Sequence, residues 1–138
     1  MIEYTSETNF TLSKENSLTQ WIESVIASEG YELGDIHFVF CDDEALHKIN
    51  VEFLHHDTYT DIISFDYSLG KQIHGEIFIS IDRVTENAEA YKVSFTEELH
   101  RVMIHGILHY CGFKDGSSEE KTLMRSKENE ALGTRDFV

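Results

Sequence analysis

The sequence predicts an α+β domain, a small mixed sheet of about four strands packed with about five helices. Two observations carry this. Short apolar or alternating runs at residues 36–41, 61–66 and 73–81 interleave with longer segments of helical spacing, and most of those segments begin with a Ser or Asp of N-cap type. Proline is absent, and no repeat, low-complexity tract or linker divides the chain, so residues 1–138 are expected to form one domain.

Taken in order, residues 2–11 read as a short strand pair or extended arm. Ser17-Leu18-Thr19-Gln20 reads as the cap of a helix with Leu18, Trp21, Ile22, Val25 and Ile26 on one face, stopped at Gly30. Ile36, Phe38 and Phe40 alternate with His37, Val39 and Cys41, the pattern of a strand buried on at least one side. Asp42 and Asp43 open a helix carrying Leu46, Ile49, Asn50 and Phe53. After the polar loop 55–60, strands at 61–66 and 73–81 are joined by a turn near 68–71 and are close enough to pair as an antiparallel hairpin. A helix at about residues 83–92 follows. Ser94-Phe95-Thr96-Glu97 has the form of a capping box for the next helix, with Leu99, Met103, Gly106, Ile107 and Tyr110 as its apolar stripe. Ser117-Ser118-Glu119-Glu120 caps a last helix that ends before Gly133.

Composition bounds the function. Hydrophobic residues make up 41% and aromatics 12%, which is globular rather than disordered composition. No segment approaches the ~18 apolar residues of a membrane span and the start lacks a basic, apolar signal, so a soluble, cytoplasmic protein is expected. Cys41 and Cys111 read as small buried hydrophobes of a reducing compartment. The net charge of −15 argues against an extended nucleic-acid footprint. Screening over ~8 Å nevertheless lets a local cationic cleft survive within an acidic protein.

The chemistry concentrates at residues 105–115. His105 and His109 are four residues apart, a step of ~6 Å that nearly closes one helical turn, so both point from one face. Gly112 ends the helix and lets the chain fold back, returning Asp115 toward the same point. Two histidines and one aspartate, with no cysteine, leave a fourth position open to water, the arrangement of catalytic rather than structural zinc. Cys111 lies ~200° around the helix from His109 and faces away. The ordinary alternative is a chance pair of helical histidines followed by a helix-ending Gly-Asp. Glu98, His100 and Asp61 read as surface charge or caps. His55-His56-Asp57 reads as an exposed polar loop, and His37, His47 and His74 each stand alone.

The chain resembles the YbeY family of bacterial rRNA maturation factors. Residues 105–115, His-Gly-Ile-Leu-His-Tyr-Cys-Gly-Phe-Lys-Asp, are similar to the family's His-Gly-x-Leu-His-x-x-Gly-Tyr-Asp-His, with Asp115 in place of the third histidine. Thr60-Asp61-Ile62-Ile63-Ser64-Phe65 and Gly75-Glu76-Ile77-Phe78-Ile79 match two strand motifs, and Asn50, Phe53, Met124 and Glu128 also fit. The resemblance implies a zincin-like (metallopeptidase-like) architecture and a single YbeY-like metal-dependent endoribonuclease domain over residues 1–138. It also implies one zinc ion, or another divalent metal, on His105, His109 and Asp115. The implied activity is cleavage of single-stranded RNA in 16S rRNA 3′-end maturation and ribosome quality control. The implied partners are rRNA, the small ribosomal subunit, and a ribosome-associated GTPase or ribosomal proteins, with neither membrane nor DNA.

Two departures stand out. Leu54 occupies the place of a family arginine, which removes one clamp on phosphate charge, and Lys114 beside Asp115 is weighed as a substitute phosphate contact against a solvated surface lysine. Metallopeptidases of the His-Glu-x-x-His type carry a general base next to the first histidine, where this chain has Gly106. A zinc metallopeptidase and a non-catalytic ribosome assembly factor with a structural metal are therefore the alternatives to a nuclease.

Overall fold

The computed structural model describes residues 1–138 and contains four strands and five helices in the order β1(Ile2–Ser6), α1(Glu15–Ser28), β2(Glu32–Cys41), α2(Asp43–Leu54), β3(Ile62–Asp66), β4(Gln72–Ser80), α3(Ile81–Tyr91), α4(Phe95–Tyr110) and α5(Ser118–Gly133). The sheet order is β1-β2-β4-β3. β1 and β4 both run parallel to β2, and β3 returns antiparallel on β4, with Ser64 opposite Ile77. This is the mixed α+β sheet expected from the pattern. No helix is long and apolar enough to cross a membrane.

One sheet face carries the core. Ile36, Phe38 and Phe40 of β2 and Ile73, Ile77 and Ile79 of β4 are buried with Leu18, Trp21 and Ile22 of α1 and Met103 and Ile107 of α4. The opposite face is covered only toward one end, where Leu46 of α2 packs with Cys41 and Ile63. That is why Cys41 is buried as well as its alternating neighbour Phe40. Both cysteines are buried thiols, each pushed up to about 12 by burial.

Several local expectations are corrected. The N-terminal segment forms one strand, not a pair, and Phe10 beyond it packs edge-on against Phe40. α1 begins at Glu15, after a left-handed Lys14 with no side-chain cap, so Ser17 lies inside the helix. The apolar stripe starts at Leu18, whose N–H donates to the Lys14 carbonyl, and this turn outweighs the cap signal of Ser17. α3 begins at Ile81, two residues before the expected start, because Ser80 caps it directly from the strand by accepting the Arg83 N–H. The Ser94 box is half formed. Ser94 accepts from Glu97 N–H, but the Glu97 carboxylate turns to Arg135 at 2.9 Å. The Ser117–Glu120 box is complete. Glu98 and His100 are buried at 4% and 5% exposure rather than lying on the surface: Glu98 lies where α3 and α5 flank α4, and His100 lies against Trp21 of α1 and Phe137 of the C-terminal tail.

Candidate metal centre

α4 is the element that positions the site. Its inward stripe, from Leu99 through Met103, Gly106 and Ile107 to Tyr110, seats it on the sheet, while His105 and His109 lie along the edge of that stripe. A Cβ at Gly106 would come within 3.0 Å of Ile62 and 3.1 Å of Ile77, so the helix lies close to β3 and β4. Gly112, at φ +94, provides the left-handed residue that reverses the chain after α4, and the Phe113 N–H closes the turn on the Leu108 carbonyl. Asp115 is thereby carried back over the helix.

The three side chains converge. His105 Nε2 lies 3.1 Å from His109 Nε2 and 3.2 Å from Asp115 Oδ2, and His109 Nε2 lies 3.4 Å from the same oxygen. Ligand bonds of 2.0–2.1 Å at tetrahedral angles place neighbouring ligand atoms ~3.3 Å apart. The observed triangle therefore fits a single tetrahedral ion. Two imidazoles and a carboxylate have the donor chemistry that suits zinc.

A second layer holds the triangle in place. Glu128 of α5, 5% exposed, accepts from His105 Nδ1 at 2.7 Å, which directs the Nε2 lone pair inward. Its other oxygen accepts from Arg101 Nη1 at 3.0 Å, and Arg101 Nη2 donates to Asn129 Oδ1 at 2.8 Å. Burial alone would pull the His105 pKa down, but the Glu128 hydrogen bond and the charges of Glu128, Asp115 and Asp61 outweigh it and the net shift is upward. Burial would likewise raise Glu128, yet His105 and Arg101 hold it below the usual carboxylate range.

His105 and Asp115 open onto a cleft of about 280 Å³, also lined by Asp61, Glu98, Arg101 and Arg125. Asp61 and Glu98 are both pushed upward, chiefly by burial; the charge of Glu128 adds to the shift, while His105 and Arg83 oppose it at Asp61 and Arg101 and Arg125 oppose it at Glu98. Neither Lys114, which is exposed, nor Leu54, at the end of α2, is among the residues lining this cleft. Arg101 and Arg125 are the cations there.

Three of the remaining histidines have side-chain partners outside the site. His47 lies 2.7 Å from Asp57 and stacks on Tyr59, His37 bonds Thr5, and His74 Nδ1 accepts from the Asp35 N–H. His55 is the left-handed C-cap of α2. Sequence reasoning left the roles of Glu128, Arg101 and Arg125 unassigned. For Glu128 a signal existed: it falls four residues after Met124 and four before Leu132, inside an apolar stripe where an unpaired acid is costly.

Comparison with known proteins agrees over nearly the full chain. Residues 2–135 match the family model described as Endoribonuclease YbeY. A Flavobacterium johnsoniae protein named Endoribonuclease YbeY is 57% identical, covering 96% of this chain and 95% of its own. A Bacteroides thetaiotaomicron protein of the same name is 47% identical over 88% and 89%. Among solved structures, the solution structure of TM1509 from Thermotoga maritima superposes with a TM-score of 0.68 at 28% identity, covering 96% of this chain and 90% of that one. A chain matched from residue 2 to residue 135 by the family model, and 57% identical to a relative of that name over nearly its whole length, belongs to the YbeY family.

Proposed function

We propose that this chain is a zinc-dependent endoribonuclease that cuts single-stranded RNA, acting in 16S rRNA 3′-end maturation and ribosome quality control with the small ribosomal subunit as its partner. The observation that carries this reading is the 3.1–3.4 Å triangle of His105, His109 and Asp115 at the mouth of a cleft holding two guanidinium groups. Relatives named as endoribonucleases support the reaction class.

When bound, such an ion supplies Lewis-acid polarisation of a phosphoryl oxygen and acidifies water for attack on phosphorus. The protein's own groups do the rest. Glu128 fixes the His105 tautomer, so the imidazole presents a lone pair and not a proton to the centre. Arg101 and Arg125 place positive charge on the side of the cleft where a phosphodiester would lie. Asp61 and Glu98, whose burial makes them hold a proton to higher pH than an ordinary carboxyl, are the cleft groups suited to protonate a leaving oxygen. Gly106 is buried against Ile62 and Ile77, so the position after the first histidine offers no general base of the metallopeptidase kind.

The test is cleavage of a single-stranded rRNA fragment spanning the 16S 3′ end, with elemental analysis of the purified protein. Activity lost on chelation, restored by zinc and absent in Asp115→Ala supports the reading. Binding to the small subunit without cleavage under any divalent metal would replace it with the assembly-factor reading, and release of peptides from denatured protein would replace it with the peptidase.

A further inference from the structure

Beside the metal cleft, Lys121, Thr122, Arg125, Ser126 and Asn129 of α5 line an open trough of about 590 Å³. No acidic side chain lines it, although acids outnumber Lys and Arg by 26 to 11 in the chain as a whole. Arg125 belongs to both spaces, since it also lines the cleft that contains His105 and Asp115. Arg125 therefore stands between the trough and the candidate centre, and Lys121 lies one helical turn, ~6 Å, farther along α5.

The Thr122 hydroxyl donates to the Ser118 carbonyl, but the donors of Arg125 and Asn129 in this trough are largely uncommitted. The Arg125 side chain is 57% exposed, and its acidic neighbour Glu128 Oε1 is 3.6 Å away. That oxygen already accepts from Arg101 at 3.0 Å, and the other oxygen of Glu128 is taken by His105. One carboxylate is thus shared by two guanidinium groups and an imidazole, so the charge of Arg125 is only partly offset. Asn129 commits its carbonyl oxygen to Arg101, which leaves its NH₂ group as a donor. A planar guanidinium fork with free N–H groups is suited to phosphate oxygens.

We propose that the α5 trough is a subsite for the sugar-phosphate backbone of single-stranded RNA flanking the phosphate at the His105–His109–Asp115 centre. Arg125 contacts the phosphate at the junction and Lys121 one farther along the strand. This rests on the endoribonuclease reading above. It supplies the cationic grip that Leu54 and Lys114 do not place in the cleft, and it explains how a chain of charge −15 engages RNA at one place. Backbone contacts of this kind hold the strand in register without reading its sequence.

The experiment is fluorescence anisotropy of a labelled single-stranded oligoribonucleotide over a salt series, with wild type, Arg125→Ala, Lys121→Ala and the exposed α2 control Lys48→Ala. Zinc affinity and the kinetics of cleavage are measured alongside. Arg125→Ala is expected to weaken binding about fivefold and to reduce the slope of log K against log salt by about 0.7, the loss of one single-strand phosphate contact. Zinc affinity is expected to stay constant, and KM to rise more than kcat falls. Lys121→Ala is expected to show the same slope change, and Lys48→Ala neither effect. Equal affinity and slope in Arg125→Ala and Lys48→Ala would overturn the trough, as would absence of RNA binding by the wild type. A wild type that cuts RNA with an Arg125-independent slope removes the subsite and keeps the endoribonuclease. One that binds RNA with an Arg125-dependent slope but never cuts keeps the subsite and removes the nuclease.

Discussion

His105 donates its Nδ1–H to the buried Glu128 across 2.7 Å, a contact that ties the helix of the two histidines to the last helix of the chain. The carboxylate makes the imidazole a better base, so it strengthens the bond to a metal and the bond to a proton together. Glu128→Gln is expected to lower zinc affinity about 10- to 100-fold near pH 8. The gap between wild type and variant is expected to narrow toward pH 6. Glu128 contributes to holding the His105 pKa above its ordinary value, so proton competition begins at higher pH in the wild type. Competition with a chromophoric chelator at several pH values measures both effects, and a pH-independent ratio would contradict the account.

Asp115 brings a negative charge to a position where the family resemblance places an imidazole. Its oxygen is 3.2 and 3.4 Å from the two histidine nitrogens, so its removal leaves two ligands on one helix turn. Asp115→Ala is expected to lose more affinity than Glu128→Gln, with bound zinc falling below one equivalent in elemental analysis. Asp115→His is expected to retain one equivalent and to move the rising, acidic limb of the pH-rate profile toward lower pH. Three neutral imidazoles leave more of the ion's charge to acidify water than two imidazoles and a carboxylate. Full zinc content in Asp115→Ala would remove Asp115 from the ligand set.

The histidine helix, the hairpin and the return of Asp115 were legible because each is local: a four-residue step, a short turn, a helix-ending glycine. The α+β class followed from the alternation of periods along the chain. What escaped was set by packing between distant segments. Glu98 and His100 sit on α4 among residues of helical surface type, and only tertiary packing buries them, Glu98 between α3 and α5 and His100 against Trp21 of α1 and Phe137 of the tail. Glu97 has the right place for a capping box, yet Arg135, 38 residues away, takes its carboxylate. The two guanidinium groups of the cleft could not be read from Lys114, the cation nearest the motif, because Arg101 and Arg125 reach the cleft from two helices that meet only in the fold.

His100 offers a pH test of stability away from the metal. It is 5% exposed, accepts from Arg135 Nη1 at 2.8 Å, and its pKa is lowered from 6.5 to about 4, by burial first and by Arg135 second. Between those values the unfolded chain binds a proton that the folded chain refuses. This contribution to stability is therefore complete above pH 6.5 and is lost as pH falls toward 4, by up to about 3 kcal/mol. His100→Gln keeps an acceptor for Arg135 but cannot be protonated. In chelator, urea midpoints of the wild type are expected to fall more steeply from pH 7 to pH 5 than those of the variant, and parallel curves would refute the assignment.

Gly75 tests how the helix is held on the sheet. The Tyr110 hydroxyl, at the last residue of α4, donates toward the Phe65 carbonyl at 2.9 Å and the Glu76 carbonyl at 3.2 Å, bridging β3 and β4. It can do so only because residue 75 has no side chain: a Cβ there would overlap the Tyr110 hydroxyl and ring and come within 2.6 Å of the Phe65 carbonyl oxygen. One of these neighbours is backbone of the paired strand, so a side-chain rotation alone cannot relieve the overlap. Gly75→Ala is expected to destabilise the fold by about 1–3 kcal/mol through overpacking. Displacing Tyr110 also moves the end of α4 next to His109, so zinc affinity is expected to fall in the same variant even under conditions where it is fully folded. Gly70→Ala is the contrast. Residue 70 has open space around its Cβ position but a φ of +58, so its cost is backbone strain in the hairpin turn, and zinc affinity is expected to stay unchanged. Equal zinc affinities for both folded variants would show that Tyr110 anchors the helix without positioning the histidines.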